Sequence, residues 1–455
     1  MEIEFCLAAK TYMYLPLYLA EEKGIFDYLI SSNLPTSIVP YTIKFTTCEG
    51  DTKAVSTMLI HNRDSRKNAD RISIAIADPV AVFDKYERIN SKNDIRIIGQ
   101  LINQFPFWII TNKDDKINEG PHNGLSELKD LPFKIKHLYA PNETYITANT
   151  CAKHIKSYLD EETEFHPEEN FSKVVENCMG AKNSIGLSGD LNKIAKLKCN
   201  DSISIAAHMC NATSGCNIAT AIITTKYICK EHGKQLIPLI LEAIQNAIFI
   251  IYSSPEIAEE VCVNISKTYL DDKDNRKTIE QKTSRIIKLI NDSKLYPMTT
   301  DIKQEDWLMT INYYLEHKIP IFKDWYDNCP DEEQDKQQFI ISLYHKMFYR
   351  MPALEVERKM IVKFGVDCST FDMEIPGYLR QKRKDEIKRF IATYLLTLCA
   401  SLCIVISIIT LICLLIRKDN IDEPTIGVIL TIISLLITIF GLSPRFHNLK
   451  NFIRT

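Results

Sequence analysis

Short apolar runs alternate with amphipathic stretches over roughly the first 330 residues. Residues 2–9 (EIEFCLAA) have the apolar density of a buried strand, and KTYMYLP reads as the loop that follows. Leu17–Leu29 has helical periodicity with Gly24 inside it, and Tyr41–Thr47 reads as a second strand. CEGDTKAVSTMLIH then predicts a helix opened by Gly50 and Asp51. Arg71–Ala77 (RISIAIA) is another strand, and Asp78-Pro79 is a helix start, with aspartate at the cap and proline in the first helical position. A long β-rich run, Ile95–Thr111, is interrupted near Gln104-Phe105-Pro106. A second alternation follows: FKIKHLYA, a helix over Thr144–Tyr158, then SIGLSGDLNKI and SISIAAHMCN. Ile218–Thr224 is apolar again, and Lys226–Val263 reads as mostly helical. Strands alternating with helices predict an α/β fold with mainly parallel sheets, in two lobes, the chain leaving one and later returning. Ligands of such sheets bind at the carboxyl ends of strands, beside helix N-termini.

Beyond residue 330 the pattern changes. Residues 331–389 read as charged helices forming a linker or stalk. Phe390–Ile416 then carries no charged side chain; as a helix at ~1.5 Å per residue it would run about 40 Å, enough to span a bilayer. A shorter apolar run, Ile426–Leu442, follows the polar loop RKDNIDEPT, so the two predict a transmembrane hairpin (390–443) with a tail at 444–455. Arg380–Arg389 holds six basic side chains against two acids, and the inter-helix loop only Arg417 and Lys418 beside three acids. The positive-inside rule therefore puts both termini on the cytoplasmic face.

Composition narrows the function classes. A formal charge of −3 and a pI near 6.4 supply no basic field for nucleic acid. Glu2 and Glu4 stand where a secretory signal would be positive, and neither a long apolar run nor a cleavage site follows, so no signal peptide is expected. The 14 cysteines are accordingly expected to be thiols of a reducing compartment. Cys399, Cys403 and Cys413 fall within the first span, and Cys210 and Cys216 lack a second pair at zinc spacing. The sequons at Asn142 and Asn211 are expected by chance in an Asn-rich chain. No G-x-S-x-G, phosphate loop or H-E-x-x-H is present, and the ten histidines are scattered. His61, His154 and His166 read as solvated and His208 as structural. No catalytic residue, metal ligand or cofactor is assigned.

Several segments nevertheless carry a resemblance. LAAKTYMYLPLYLAEEKGIFDYL resembles the opening of the nitrate/sulfonate/taurine-type solute-binding proteins of ABC transporters and of the related thiamine-pyrimidine precursor synthases, through Pro16, Leu17, Tyr18, Ala20, Gly24 and Phe26. EGDTKAVSTMLIHNRDSRKNADRISIAIADP, IRIIGQLINQFPFWIITNKDD, GLSELKDLPFKI, the AIITTKY…SSPEIAEEVC stretch and DWLMTINYYLEHKIP are similar to later family segments in the same order. The sequence departs from the pattern at Asp130, where glycine is usual, and lacks the Cys-rich motif of the eukaryotic synthases. The resemblance implies a type II periplasmic-binding-protein fold over residues 1–330, with lobe 1 at about 1–105 plus part of 220–330 and lobe 2 at about 106–220.

It also implies a cleft closing on a small ligand. The candidate residues are Thr11, Tyr12 and Tyr14 in the first loop, Asp78, Gln104 at the crossover, and Asn142, Glu143, Thr144 and Tyr145 in the second lobe. Asp78 and Glu143, with no arginine in these loops, favour a ring- or amine-bearing ligand over a simple oxyanion. The reading reached is a membrane-anchored intracellular sensor, with the bilayer and either a second copy or a membrane partner as further contacts of the hairpin. The rivals are a membrane-attached pyrimidine-precursor synthase and an exported transport receptor. From the flanking charge, reporters fused at Met1 and after Thr455 are expected on the cytoplasmic side and one at Asn420 outside. A Met1 reporter found outside would refute the orientation.

Overall fold

Apolar side chains on both faces mark a strand covered on both sides, and β1 (Glu2–Leu7) is buried from Ile3 onward. It pairs in parallel with β2 (Thr42–Thr47) and β3 (Arg71–Ala77). β4 (Ile95–Ile102) and β10 (Thr220–Thr225) complete a five-stranded sheet in the order β2-β1-β3-β10-β4, with β10 antiparallel to both neighbours. Glu4 lies fully buried in this sheet, accepting from Thr46 Oγ1 at 2.7 Å and Ser73 Oγ at 2.8 Å, with His61 Nδ1 at 2.6 Å. Burial alone would raise its pKa; those bonds outweigh it and hold the carboxyl below the ordinary value. His61 is thus half-buried against Glu4 rather than on the solvated face its spacing suggested.

The structure is a computed structural model and describes residues 1–33, 41–68, 71–83, 95–113, 125–143, 145–209, 218–270, 272–317 and 333–364, all inside the unit Met1–Pro376. The expected spans at 390–416 and 426–442 lie outside the described residues, as do Thr144, Cys210 and Cys216.

The helix expected over Leu17–Leu29 is divided into α1 (Leu15–Glu22) and α2 (Ile25–Asn33). Gly24 between them has φ +62°, a left-handed conformation that ends one helix and starts the next at little cost only for glycine. α3 (Asp51–Asn68) covers the other side, where Asn62 exchanges two 2.8 Å hydrogen bonds with the Ser73 backbone.

After β4 the chain crosses into a second sheet, β7-β6-β8-β5-β9, formed by β5 (Trp108–Asn112), β6 (His137–Pro141), β7 (Glu164–Glu168), β8 (Ser184–Ser188) and β9 (Ile203–His208). β6 runs parallel to β7 and β8, whereas β5 is antiparallel to β8 and β9. Its helices are α4 (Ile146–Tyr158), α5 (Phe171–Gly180) and α6 (Leu191–Cys199). The two crossings are tied to each other: Met209 N donates to Phe107 O at 3.0 Å and Ala219 N to Ile102 O at 3.0 Å.

Back in the first lobe follow α7 (Lys226–His232), α8 (Leu236–Ser253), α9 (Pro255–Thr268), α10 (Arg276–Ser293) and α11 (Gln304–Glu316). Among the described residues α8 is the one helix long and apolar enough to cross a membrane, and 89% of that window is buried within the lobe. It packs against α1, α2 and α9 as the central core helix.

Residues 333–364 were expected inside a charged linker. They form α12 (Glu333–Met347) and α13 (Met351–Phe364), which pack on the first lobe. Trp307 Nε1 donates to Ile340 O at 3.2 Å, Tyr344 OH to Ile302 O at 2.8 Å, and Tyr349 N to Ile97 O at 2.9 Å. Ile340, Met347, Val356 and Met360 are buried. The charged residues between them dominate composition, but the apolar positions recur at helical spacing and supply a covering stripe. Arg350 pairs with the buried carboxylate of Asp301, Nε to Oδ1 at 2.9 Å with a second guanidinium contact beside it. Arg350→Met leaves Asp301 enclosed without its cation and is expected to cost about 2–4 kcal/mol. A denaturant midpoint unchanged from wild type would mean that α12 and α13 contribute nothing to the lobe.

Candidate functional site

The carboxyl ends of β1 and β3 in the first lobe, and of β6 and β8 in the second, present the loops that carry most of the candidate residues. After β1, Thr11 caps a short 3-10 turn, Tyr12–Tyr14, by accepting from Met13 N at 3.2 Å. A 3-10 turn sends successive side chains about 120° apart, and this separates the two tyrosines. Tyr12 is buried, and the acidic groups that bear on its hydroxyl are Cys262, Asp272 and Asp274, towards α9 and α10. The groups that bear on Tyr14 are Asp51, Tyr18 and Asp78. Burial chiefly raises both phenols.

Asp78 is almost fully buried. Its Oδ1 accepts from Val80 N at 2.8 Å, capping the turn Pro79–Val82, and its Oδ2 accepts from Tyr314 OH at 2.8 Å. Its own N donates to Asp51 Oδ1 at 2.8 Å. Asp51 retains some surface, yet burial raises it, and burial followed by the Asp51 charge pushes Asp78 well above the ordinary value of 3.8. Among the described residues neither carboxylate makes an ion pair.

Tyr314 belongs to α11 and is fully buried. Its hydroxyl also lies 3.0 Å from Thr147 Oγ1 on α4, so Asp78, Tyr314 and Thr147 form a hydrogen-bonded chain from the first lobe to the second. Tyr313 beside it packs against Phe105 of the crossover, ring centroids 4.8 Å apart and tilted by 43°, and meets Cys151 and His154 of α4. His154 contacts Tyr313 OH at 3.2 Å and the His317 ring at 4.6 Å; burial, then His317, lowers it to about 4. It is therefore a packed, neutral imidazole and not the solvated one expected.

The second lobe contributes an aromatic wall. Tyr145 meets Phe171 edge-on at 5.1 Å, and Phe171 stacks on Phe107 at 5.7 Å. Burial raises Tyr145, and the Asp51 and Glu49 charges add to it, so this side chain looks across at the acids of the first lobe. Gly189 after β8 is close to that lobe too: a Cβ there would lie 2.7 Å from Met13 Cε and 3.2 Å from Pro106 O.

The nine sequence candidates thus divide. Tyr14, Asp78 and Tyr145 converge. Gln104, beside Phe105, keeps a buried Oε1 without a hydrogen-bond partner. Asn142 closes the end of β6, its N donating to Glu168 O at 2.8 Å. Glu143 points to solvent, 3.8 Å from Lys153, because it precedes the first turn of α4 on its outer face. Thr11 serves its own turn. Asp51, Tyr314 and Thr147 were not anticipated; for Asp51 the signal was present as the first residue of a helix after Gly50.

The described domain is a two-lobed α/β fold, built from two mixed five-stranded sheets between which the chain crosses twice. No family model and no curated protein matches the chain. Solved structures do. The alkanesulfonate-binding protein SsuA of Xanthomonas axonopodis, bound to MOPS, is 9% identical with TM-score 0.45, covering 70% of this chain and 93% of its own. The nitrate-binding protein NrtA of Synechocystis is 12% identical with TM-score 0.46, covering 79% and 89%. A Candida albicans protein described as having the generic periplasmic binding protein fold is 11% identical with TM-score 0.42, covering 77% and 96%.

Tyr314→Phe deletes the hydroxyl between Asp78 and Thr147 and leaves a buried carboxylate oxygen unpartnered. It is expected to cost about 1–3 kcal/mol in chemical denaturation. His154 supplies an acid-side test. Its folded pKa is depressed, so its contribution is full above the ordinary 6.5 and is lost as pH falls through about 4. The unfolding midpoint of His154→Gln should fall less steeply than wild type over that window; parallel curves would contradict the packed neutral form.

Proposed function

We propose that this protein binds a small cationic, ring-bearing molecule between its two lobes and is held in a membrane by its C-terminal hairpin, both termini cytoplasmic, as an intracellular sensor. The observation carrying the ligand class is the adjacent pair Asp51 and Asp78, both buried enough to be raised and neither ion-paired among the described residues. Two enclosed carboxylates cost free energy when both ionise, and a cation between them lowers that cost. An ammonium or amidinium group reaching Asp78 competes with the Tyr314 hydroxyl for Oδ2. The Phe107–Phe171–Tyr145 wall suits a planar ring, whose contact with aromatic side chains supplies apolar area and ring stacking.

Closure enters through Tyr314. A ligand that binds the Tyr314-bridged arrangement and the released one with different affinity moves the equilibrium between them by that difference and no more. The long apolar stretch 390–416 and the basic run Arg380–Arg389 support the membrane attachment.

The sign of the pH dependence follows from the raised carboxyls. Their stabilising contribution is full below the ordinary value of 3.8 and is lost as pH rises through the folded values. Apo protein should therefore lose stability from these groups on going to neutral pH, and a cationic ligand should restore it. Asp78→Asn keeps an oxygen acceptor for Val80 N while removing the charge. It is expected to be no less stable than wild type at pH 8 and to lose tenfold or more in affinity for an aromatic amine. Thermal-shift screening of aromatic amines against nitrate and alkanesulfonates is the discriminating experiment. Stabilisation by the anions alone, retained in Asp78→Asn, would overturn the cationic reading.

A further inference from the structure

Away from that cleft, at the opposite end of the same strands, three side chains converge on the edge of the second sheet. β7 is the edge strand and pairs with β6 in register, His137 opposite Glu164 and Tyr139 opposite His166. Because side chains alternate along a strand, His137, Glu164 and His166 share one face, while Leu138 between them turns into the core. His137 Nδ1 lies 3.1 Å from His166 Nε2 and 3.3 Å from Glu164 Oε2, and His166 Nε2 lies 3.4 Å from the same carboxylate oxygen. All three atoms are mutually within reach of a single ion.

Zinc bonds of ~2.0–2.2 Å to nitrogen and carboxylate oxygen, arranged tetrahedrally, require ligand atoms about 3.3 Å apart. The three spacings match the three edges of such a face. Tyr139 stacks on His166 at 4.8 Å with 21° between planes, fixing the ring that supplies Nε2. The side chains keep 30%, 65% and 34% of their surface, so the fourth position of a tetrahedron opens to water. Two imidazoles and a carboxylate are the donor set of a borderline ion, not of calcium or magnesium, which take mostly oxygen.

We infer that His137, Glu164 and His166 form a binding site for Zn²⁺ or a zinc-like divalent ion on the β6–β7 edge, separate from the cleft. His137 Nδ1 and His166 Nε2, which share a hydrogen bond at 3.1 Å, would both turn their lone pairs to the ion. Metal binding replaces that bond with coordination and clamps the edge strand to its neighbour. The sequence signal is Glu164-x-His166, two residues apart on a strand; His137, remote in the chain, is supplied by the parallel pairing.

The test is calorimetric titration of the full chain with Zn²⁺, paralleled by Co²⁺ monitored through its visible absorption. One equivalent is expected in the wild type. His137→Ala and His166→Ala should each weaken it by tenfold or more, with Glu164→Gln weaker than wild type and His61→Ala unchanged. A footprint on the unaltered chain guards against variants that misfold: Zn²⁺ should slow diethyl pyrocarbonate modification of His137 and His166 but not of His345. Absence of stoichiometric binding, binding that survives His137→Ala with His166→Ala, or absence of protection at both histidines would overturn the site.

Discussion

One hydroxyl joins the two halves of the folded domain. Tyr314 donates to Asp78 in the first lobe and meets Thr147 in the second, at 2.8 and 3.0 Å, in surroundings from which water is excluded. A hydrogen bond to a buried carboxylate is worth more than one at the surface, and leaving that carboxylate without it costs more still. Around this point the other features take their positions: Tyr313 on the crossover residue Phe105, His154 against Tyr313, and Gly189 admitting Met13. A glycine and a hydrogen-bonded chain of polar groups meet where the lobes approach.

The same logic explains where the acids sit. Glu4 and Asp78 are both buried near strands of the first sheet, but in opposite electrostatic states. Glu4 is surrounded by donors from Thr46, Ser73 and His61, and its carboxyl is held low. Asp78 has two donors and a second carboxyl nearby, and is pushed high. The first is a carboxylate satisfied by its donors; the second is enclosed beside another carboxyl with no ion pair among the described residues.

The first lobe is completed by residues far along the chain. α12 and α13 cover Trp307 and α8, and Arg350 neutralises Asp301 beside the extension of β4. Among the described residues the first lobe extends as far as a packed helix, Met351–Phe364.

Strands, helices and the two-lobe alternation were legible because burial on both faces writes continuous apolar runs such as RISIAIA, and caps such as Asp78-Pro79 write themselves locally. The first-loop and Asp78 candidates came from the resemblance together with the rule that ligands of such sheets bind at the carboxyl ends of strands. Local rules could not separate Tyr12 from Tyr14, two residues apart yet sent to different surroundings by one turn. They could not pair Asp51 with Asp78, bring Tyr314 to Thr147 across 167 residues, or set His137 beside His166. Periodicity reports which face of an element is buried, an energy summed over many side chains. Which particular polar groups meet depends on strand order and lobe crossing, and these are decided only when the whole chain packs.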